Sequence, residues 1–266
     1  MTNRAKRIPT MLKLLRIAAL VLPFLAGLAL FQRIALADGV PVTMQLVGDN
    51  DGFNMGGVYT SPYQINVTEN GVTTTGLALA CDDFTTDITF GDTWNADMFT
   101  LSDVALGGPQ KFPLGPPGTD SIAVTIPGGG AAYYTIQQSY DAAAWLAEQL
   151  LTIPANLDNS EIAGEYSYAI WQIFDPAAVG GYGGQALTST EQAAVATDMA
   201  NAFSSTASLL PNYQVYIFTP NPVTVSQEFI GVFRVPEGST VALLAFNFLA
   251  LAGIILSARR RFHRAA

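Results

Sequence analysis

Apolar and polar positions alternate through much of the first half of the chain. Val42-Thr43-Met44-Gln45-Leu46-Val47 has a period of two, as a strand with one buried face requires. Tyr63 to Val67 and Thr75 to Cys81 read as two further strands flanking Asn70-Gly71, a dipeptide that favours a tight hairpin turn. Ile122 to Ile126 is another strand, and the proline-rich stretch Gly107 to Gly118 is a surface loop. From Ser139 to Ser205 the period becomes helical. A helix is predicted over Asp141 to Leu151, acidic in its first turn, and a second is capped by Ser160. The second helix places Ile162, Tyr166, Ala169, Ile170 and Ile173 on one face, with Trp171, Phe174 and Ser167 on another. A helix apolar on two faces belongs between other elements. Asp175-Pro176 ends it. Ser189-Thr190-Glu191-Gln192 is a capping-box pattern that opens a third helix through Val195, Met199 and Phe203. Strand patterns return at Tyr213 to Ile217, Val223 to Val225 and Phe229 to Phe233. Strands, then helices, then strands predict an α+β fold, a β-rich domain with a helical insertion.

Two apolar runs do not fit into that domain. Ile17 to Phe31 follows a basic segment and precedes Ala35-Leu36-Ala37, a small-x-small site. Residues 1–37 therefore read as a secretory signal peptide, cleaved after Ala37 with Ala35 as the other small residue. Near the other end, Val241 to Leu256 is apolar except at Asn247 and is followed by Arg259, Arg260 and Arg261. These 16 residues span ~24 Å as a helix. Flanking residues and snorkelling arginines extend that reach toward the full thickness of a bilayer core, predicting a single transmembrane helix. The domain between the two ends runs from 38 to 234, and the tail from 235 to 266.

Charge sharpens this division. Of the 12 basic residues only Lys111 and Arg234 lie between the two end segments, against 20 of the 21 acidic residues, a net charge of −18. Such a domain repels nucleic acid, so DNA and RNA are excluded as partners. The terminal arginines keep the extreme C-terminus in the cytoplasm, so the acidic domain faces outward.

The order Val235-Pro236-Glu237-Gly238-Ser239-Thr240, then a short apolar helix, then Arg259 to Arg261, resembles the PEP-CTERM sorting signal of biofilm-forming Gram-negative bacteria. The resemblance implies processing by an exosortase near Pro236-Glu237. It also implies transient residence in the membrane, and delivery to the cell surface or the exopolysaccharide matrix.

The residue types narrow the chemistry. The single histidine, His263, lies in the tail, so the domain can build neither a Ser-His-Asp triad nor a histidine-rich zinc site. Twenty-one acids offer no distinctive pair, and enzymatic activity is not expected. Asp49 and Asp51 in one turn, and Asp82 and Asp83 with Asp87 in another, are candidate calcium ligands, although neither segment is an EF-hand loop. Cys81 is the only cysteine. In an exported chain it is a buried thiol, half of an intermolecular disulfide, or the sulfur of an internal thioester.

Ala80-Cys81-Asp82-Asp83-Phe84, the helical Tyr168-Ala169-Ile170-Trp171, Phe174-Asp175-Pro176 and Gln227-Glu228-Phe229 resemble a group of PEP-CTERM surface proteins. More distantly they are similar to the thioester domains of bacterial adhesins. There a strand cysteine joins the glutamine of a Thr-Gln-x-Ala-Ile-Trp pattern. Aligned on Ala169-Ile170-Trp171, that position here is Ser167, which has no amide to give; Gln172 lies nearby on another helical face.

The sequence thus points to an exported structural or interaction protein of the cell surface or exopolysaccharide matrix. The alternatives are a thioester-type covalent adhesin and a carboxylate-based polysaccharide hydrolase. Replacing both Pro236 and Glu237 by Ala is expected to leave a larger, membrane-retained form on a fractionation blot. Identical processing of variant and parent would remove the sorting assignment.

Overall fold

The computed structural model describes residues 39–49, 53–104, 108–112, 121–126, 130–153, 160–204 and 208–235. The signal peptide with Ala35 and Ala37, and the tail with Pro236, Glu237 and Arg259 to Arg261, lie outside these residues, as does Asp51. No helix among the described residues is long and apolar enough to cross a membrane.

The strands are β1 (Val40–Gly48), β2 (Asn54–Met55), β3 (Val58–Tyr59), β4 (Tyr63–Glu69), β5 (Val72–Cys81), β6 (Thr93–Thr100), β7 (Ser121–Thr125), β8 (Ala131–Thr135), β9 (Tyr213–Pro220) and β10 (Phe229–Arg234). The helices are α1 (Leu101–Val104), α2 (Ile136–Leu151), α3 (Ser160–Phe174) and α4 (Ser189–Ala202), with a short 3₁₀ turn at Ala178–Gly180. Six strands close a barrel in the order β1-β4-β5-β10-β9-β6, every neighbouring pair antiparallel. The hairpins β2-β3 and β7-β8 stand apart from it. All the helices fall between β6 and β9, the helical insertion expected from the sequence.

Alternation along the strands sorts side chains into two cores. Val42, Met44 and Leu46 of β1, Ile65 of β4, Leu79 and Cys81 of β5, Trp94 of β6 and Phe229 of β10 fill the barrel. Ala80, Phe99, Ile217 and Ile230 point the other way, into the layer formed with α2, α3 and α4. The barrel closes through a narrow seam, since β5 and β10 pair only at Cys81–Phe229 and Ala80–Ile230.

Asn70 and Gly71, with φ of 50° and 79°, make the hairpin turn expected between β4 and β5. Three expectations need correction. Helix α2 begins at Ile136 rather than Asp141, because Thr135 and Gln138 form a reciprocal capping box one turn earlier; Asp141 is therefore not in its first turn. Helix α4 is capped by Thr188 paired with Glu191, one residue ahead of the Ser189 reading. Val223 to Val225 is turn, not strand: the Val225 N–H closes back on Pro222 O at 3.1 Å.

Helix α3 supplies much of the core of the helical layer. Tyr168, Ala169, Ile170, Trp171 and Ile173 are all buried, whereas Ile162, assigned to the apolar face, is exposed near the helix start. Trp171 packs against Phe84 at 5.4 Å and Tyr168 at 5.0 Å between ring centroids. Truncating a buried tryptophan costs about 3–5 kcal/mol. Trp171→Ala is therefore expected to lower the melting temperature sharply; an unchanged melting curve would contradict its place in the core.

Candidate functional site

Cys81 ends β5 at the barrel seam and is fully buried. Its backbone N–H donates to Ser61 Oγ at 2.9 Å, and the Ser61 N–H donates to Ser167 Oγ at 3.0 Å. Ser167 therefore stands two hydrogen bonds from the cysteine. Its own hydroxyl donates back to Ala163 O at 2.8 Å, as serines do inside helices. The Cys81 thiol donates to Asp83 O at 3.2 Å and accepts from the Asp83 N–H at 3.4 Å. Burial, reinforced by Asp83 and Asp82, pushes its pKa well above the ordinary thiol value. Cys81 is thus held as a thiol, which is a poor nucleophile. Gln172 is engaged elsewhere: its amide nitrogen donates to Thr125 O and Pro176 O, and its oxygen accepts from Val179.

Beyond Cys81 the chain turns through two consecutive buried carboxylates with different surroundings. Asp83 Oδ1 accepts from the backbone of Thr85 and Thr86 and from the Thr85 hydroxyl. Its Oδ2 takes the Lys111 ammonium. Lys111 Nζ also donates to Thr86 Oγ1 and Ser226 O, both at 2.8 Å, which satisfies all three of its N–H groups. Asp82 faces the other way, toward Glu228, and neither of its oxygens has a hydrogen-bond donor. Glu228 accepts from the Tyr140 hydroxyl of α2, the Thr219 hydroxyl of β9 and the Lys111 N–H. Burial raises the pKa of both Asp82 and Glu228, and the opposing Glu228 charge raises that of Asp82 further. Two carboxylates facing each other away from water cannot both ionise at low cost; a proton on Asp82 turns it into the missing donor to Glu228.

A cleft of about 310 Å³ opens beside this cluster, where barrel, β2-β3 hairpin and helical layer meet. Tyr59, Tyr63, Phe84, Phe90, Trp171 and Tyr182 form its aromatic walls; Asp49, Asp83, Asp87 and Gln227 supply polar groups. The β2-β3 hairpin is seated by Tyr168, whose hydroxyl donates to Met55 O at 2.9 Å. Gly56, at φ +58°, passes so close to the same hydroxyl that no Cβ would fit. Tyr63 donates to Tyr59 O at 2.6 Å, linking the hairpin to the barrel. Gln227 is fixed by its amide nitrogen, which donates to Asp83 O and Thr86 O; its Oε1 is buried without a partner.

The two acidic segments proposed for calcium thus converge differently from expectation. Asp49, Asp83 and Asp87 line one cleft, while Asp82 does not line it and is opposed by Glu228. Asp83 is committed to Lys111. Among the described residues no group of three or more metal-ligating side chains is placed to hold an ion. Val235 lies just past β10, its N–H donating to Asn212 O at 2.7 Å. Lys111, Tyr140 and Thr219 were missed as site residues from sequence, and Gln227 and Glu228 stood out only within the Gln227-Glu228-Phe229 motif, without their roles; the contacts of these residues span up to 144 positions.

The acid pair makes a pH prediction. Both carboxyls have folded-state pKa values above their unfolded values of about 4, so their contribution to stability is full below about pH 4 and is lost as pH rises through the folded-state values. Asp82→Asn places a permanent donor opposite Glu228. Melting curves are expected to show a flatter pH dependence for the variant and a higher melting temperature than the parent at neutral pH. Equal destabilisation at every pH would contradict proton sharing.

No family model matches the chain, and no curated protein does. Among solved structures it is distantly similar to the N-terminal domain of the Streptococcus pyogenes pilus tip adhesin Cpa. That match has 12% identity and a TM-score of 0.40, over 75% of this chain and 96% of that one. It is also similar to the N-terminal thioester domain of a surface protein from Clostridium perfringens, at 8% identity and a TM-score of 0.39, over 72% of this chain and 98% of that one. At these values the similarity assigns no role to any residue.

Proposed function

We propose that this chain is an exported interaction protein of the cell surface or exopolysaccharide matrix, and that it holds a matrix polysaccharide non-covalently in the aromatic cleft. The observation that carries this reading is the cleft itself. Flat aromatic faces alternate there with carboxylates and an amide, the side-chain set that stacks on sugar rings and hydrogen-bonds their hydroxyls. Its volume suits one or a few sugar units rather than the face of a folded partner. The carboxyl pair with raised proton affinity, Asp82 and Glu228, is fully buried and does not line the cleft, so the reading is of a binding protein and not of a hydrolase. Delivery follows the sequence: a cleaved signal at residues 1–37, then exosortase processing at Pro236-Glu237 after transient anchoring by the tail.

Tyr59, Phe90 and Tyr182 are exposed members of the cleft wall, so their truncation leaves the core intact. Tyr182→Ala and Phe90→Ala are each expected to weaken retention on the producing strain's own polysaccharide by about 0.5–1.5 kcal/mol, with unchanged melting temperatures. Full retention by both variants would contradict the cleft as the binding surface.

A second reading, the thioester-type covalent adhesin, is favoured by one observation. The Cys81 thiol and the Gln227 amide nitrogen both donate to the same oxygen, Asp83 O, at 3.2 and 3.3 Å. Gln227 thus supplies near the sulfur the amide that Ser167 lacks. Thiol attack on the Gln227 carbonyl would release ammonia and leave a thioester. The non-covalent reading predicts an exported protein of unmodified mass whose thiol reacts with iodoacetamide once denatured. An intact mass short by one ammonia, restored with the added mass of methylamine on treatment with that amine, would establish the covalent reading instead.

A further inference from the structure

Antiparallel register fixes which residues share an end of the barrel. Thr43 pairs with Thr68, Val40 with Met98, Thr100 with Tyr216 and Arg234 with Tyr213. The Asn70-Gly71 turn, the start of β9 and the close of β10 therefore lie together. Cys81 and Phe229 are at the opposite end, with the aromatic cleft that takes Leu46 and Tyr63 into its lining. Because β5 and β10 pair only at that opposite end, they part toward the Asn70-Gly71 turn and the barrel interior opens there. The opening is a mouth of about 290 Å³, lined with Val67, Val72, Leu77, Met98, Phe218 and Phe233, and Val72 is largely exposed. Apolar surface of this kind gains by being taken out of water.

The chain leaves the domain beside this mouth. Val235 is fixed there through its N–H bond to Asn212 O, and residues 236–240 alone separate it from the apolar run Val241 to Leu256. Five residues reach at most ~18 Å when fully extended. β5 runs ~30 Å from Val72 to Cys81, which is ~23 Å of height at the ~40° tilt usual in barrels. The cleft rises beyond Cys81. A tail embedded in a bilayer therefore holds the mouth close to the lipid and is too short to let the domain turn over and set its cleft against it. Charge agrees with this orientation. Of the two basic residues in the domain, Lys111 is paired with Asp83, whereas Arg234 is exposed at the mouth end. Arg234 nearly offsets Glu69 and Asp97 on the strands there, while the domain as a whole carries −18 and is repelled by an anionic surface.

We propose that the barrel mouth at the Asn70-Gly71 end is a bilayer-facing surface. In the anchored precursor it rests on the lipid, and the aromatic cleft points away from the membrane toward the matrix. This rests on the reading that the tail anchors the precursor. Cutting near Pro236-Glu237 removes the tether and frees the surface.

The test uses the full chain reconstituted into vesicles of phosphatidylethanolamine and phosphatidylglycerol. A photoreactive p-benzoylphenylalanine replaces Val72 in one variant and Tyr182 in another; both positions are exposed, so neither change disturbs a core. After flotation and illumination, lipid adducts are expected on the Val72 variant and absent from the Tyr182 variant. Adducts on the Tyr182 variant equal to or above those on the Val72 variant would overturn the proposal. So would a lack of adducts on both variants while the chain floats with the vesicles, and in either case the anchoring tail stands. A chain that does not float with the vesicles at all would overturn the tail reading and the proposal together.

Discussion

The barrel depends on a seam only two residue pairs long, Ala80-Cys81 against Phe229-Ile230, and on the carboxylates buried immediately beside it. Past the paired residues the seam continues through one backbone bond, from the Asp82 N–H to Glu228 O at 3.3 Å. Cohesion then passes to side chains. Glu228 gathers the Tyr140 hydroxyl from α2, the Thr219 hydroxyl from β9 and the Lys111 N–H around one carboxyl group. Burying a carboxylate costs several kcal/mol unless its oxygens are supplied with donors. Glu228 is supplied from three separate segments, so it can sit in place only when barrel, helical layer and the Lys111 segment are all assembled. The same cluster fixes the turn at Asp83 and, through Asp83 O, the Gln227 side chain in the cleft wall.

Much of the barrel was legible because its strands bury one face. Val42, Met44 and Leu46 alternate with polar neighbours, and all three are buried. Helix α3 was legible for the opposite reason, since apolar residues on two faces meant packing on two sides. The boundaries failed where two capping signals competed. Thr135-x-x-Gln138 starts α2 a full turn before the first acidic residue, and Thr188 wins the cap from Ser189 because its hydroxyl reaches the Glu191 N–H at 3.3 Å. β6 gave a weak signal because Asn95 and Asp97, poor strand formers, occupy its outward positions between Trp94, Ala96 and Met98 of its inner face.

The site was legible only in fragments. Cys81, Asp82 and Asp83 stood out as residues, yet their roles are set by partners far along the chain. Asp83 is paired with Lys111, and the proton affinity of Asp82 is raised by burial and then by the opposing Glu228. The cleft draws its lining from segments around Asp49, Tyr59, Phe84 to Phe90, Trp171 to Tyr182 and Gln227, an arrangement that no one-dimensional pattern encodes. Ser167, which the resemblance aligns with the glutamine position, has no amide. Its hydroxyl instead orders Ser61 beneath the Cys81 backbone, a structural role that needs no reaction.

We propose recognition at the junction of barrel and helices, next to the buried Cys81 thiol and the Asp82–Glu228 pair. Hydrogen exchange of the exported protein, with and without the polysaccharide of the producing strain, tests this most directly. Protection is predicted at residues 57–59, 83–90 and 180–184, with the far end of the barrel around the Asn70-Gly71 turn unchanged. Protection confined to that far end, or none anywhere at saturating polysaccharide, would contradict it.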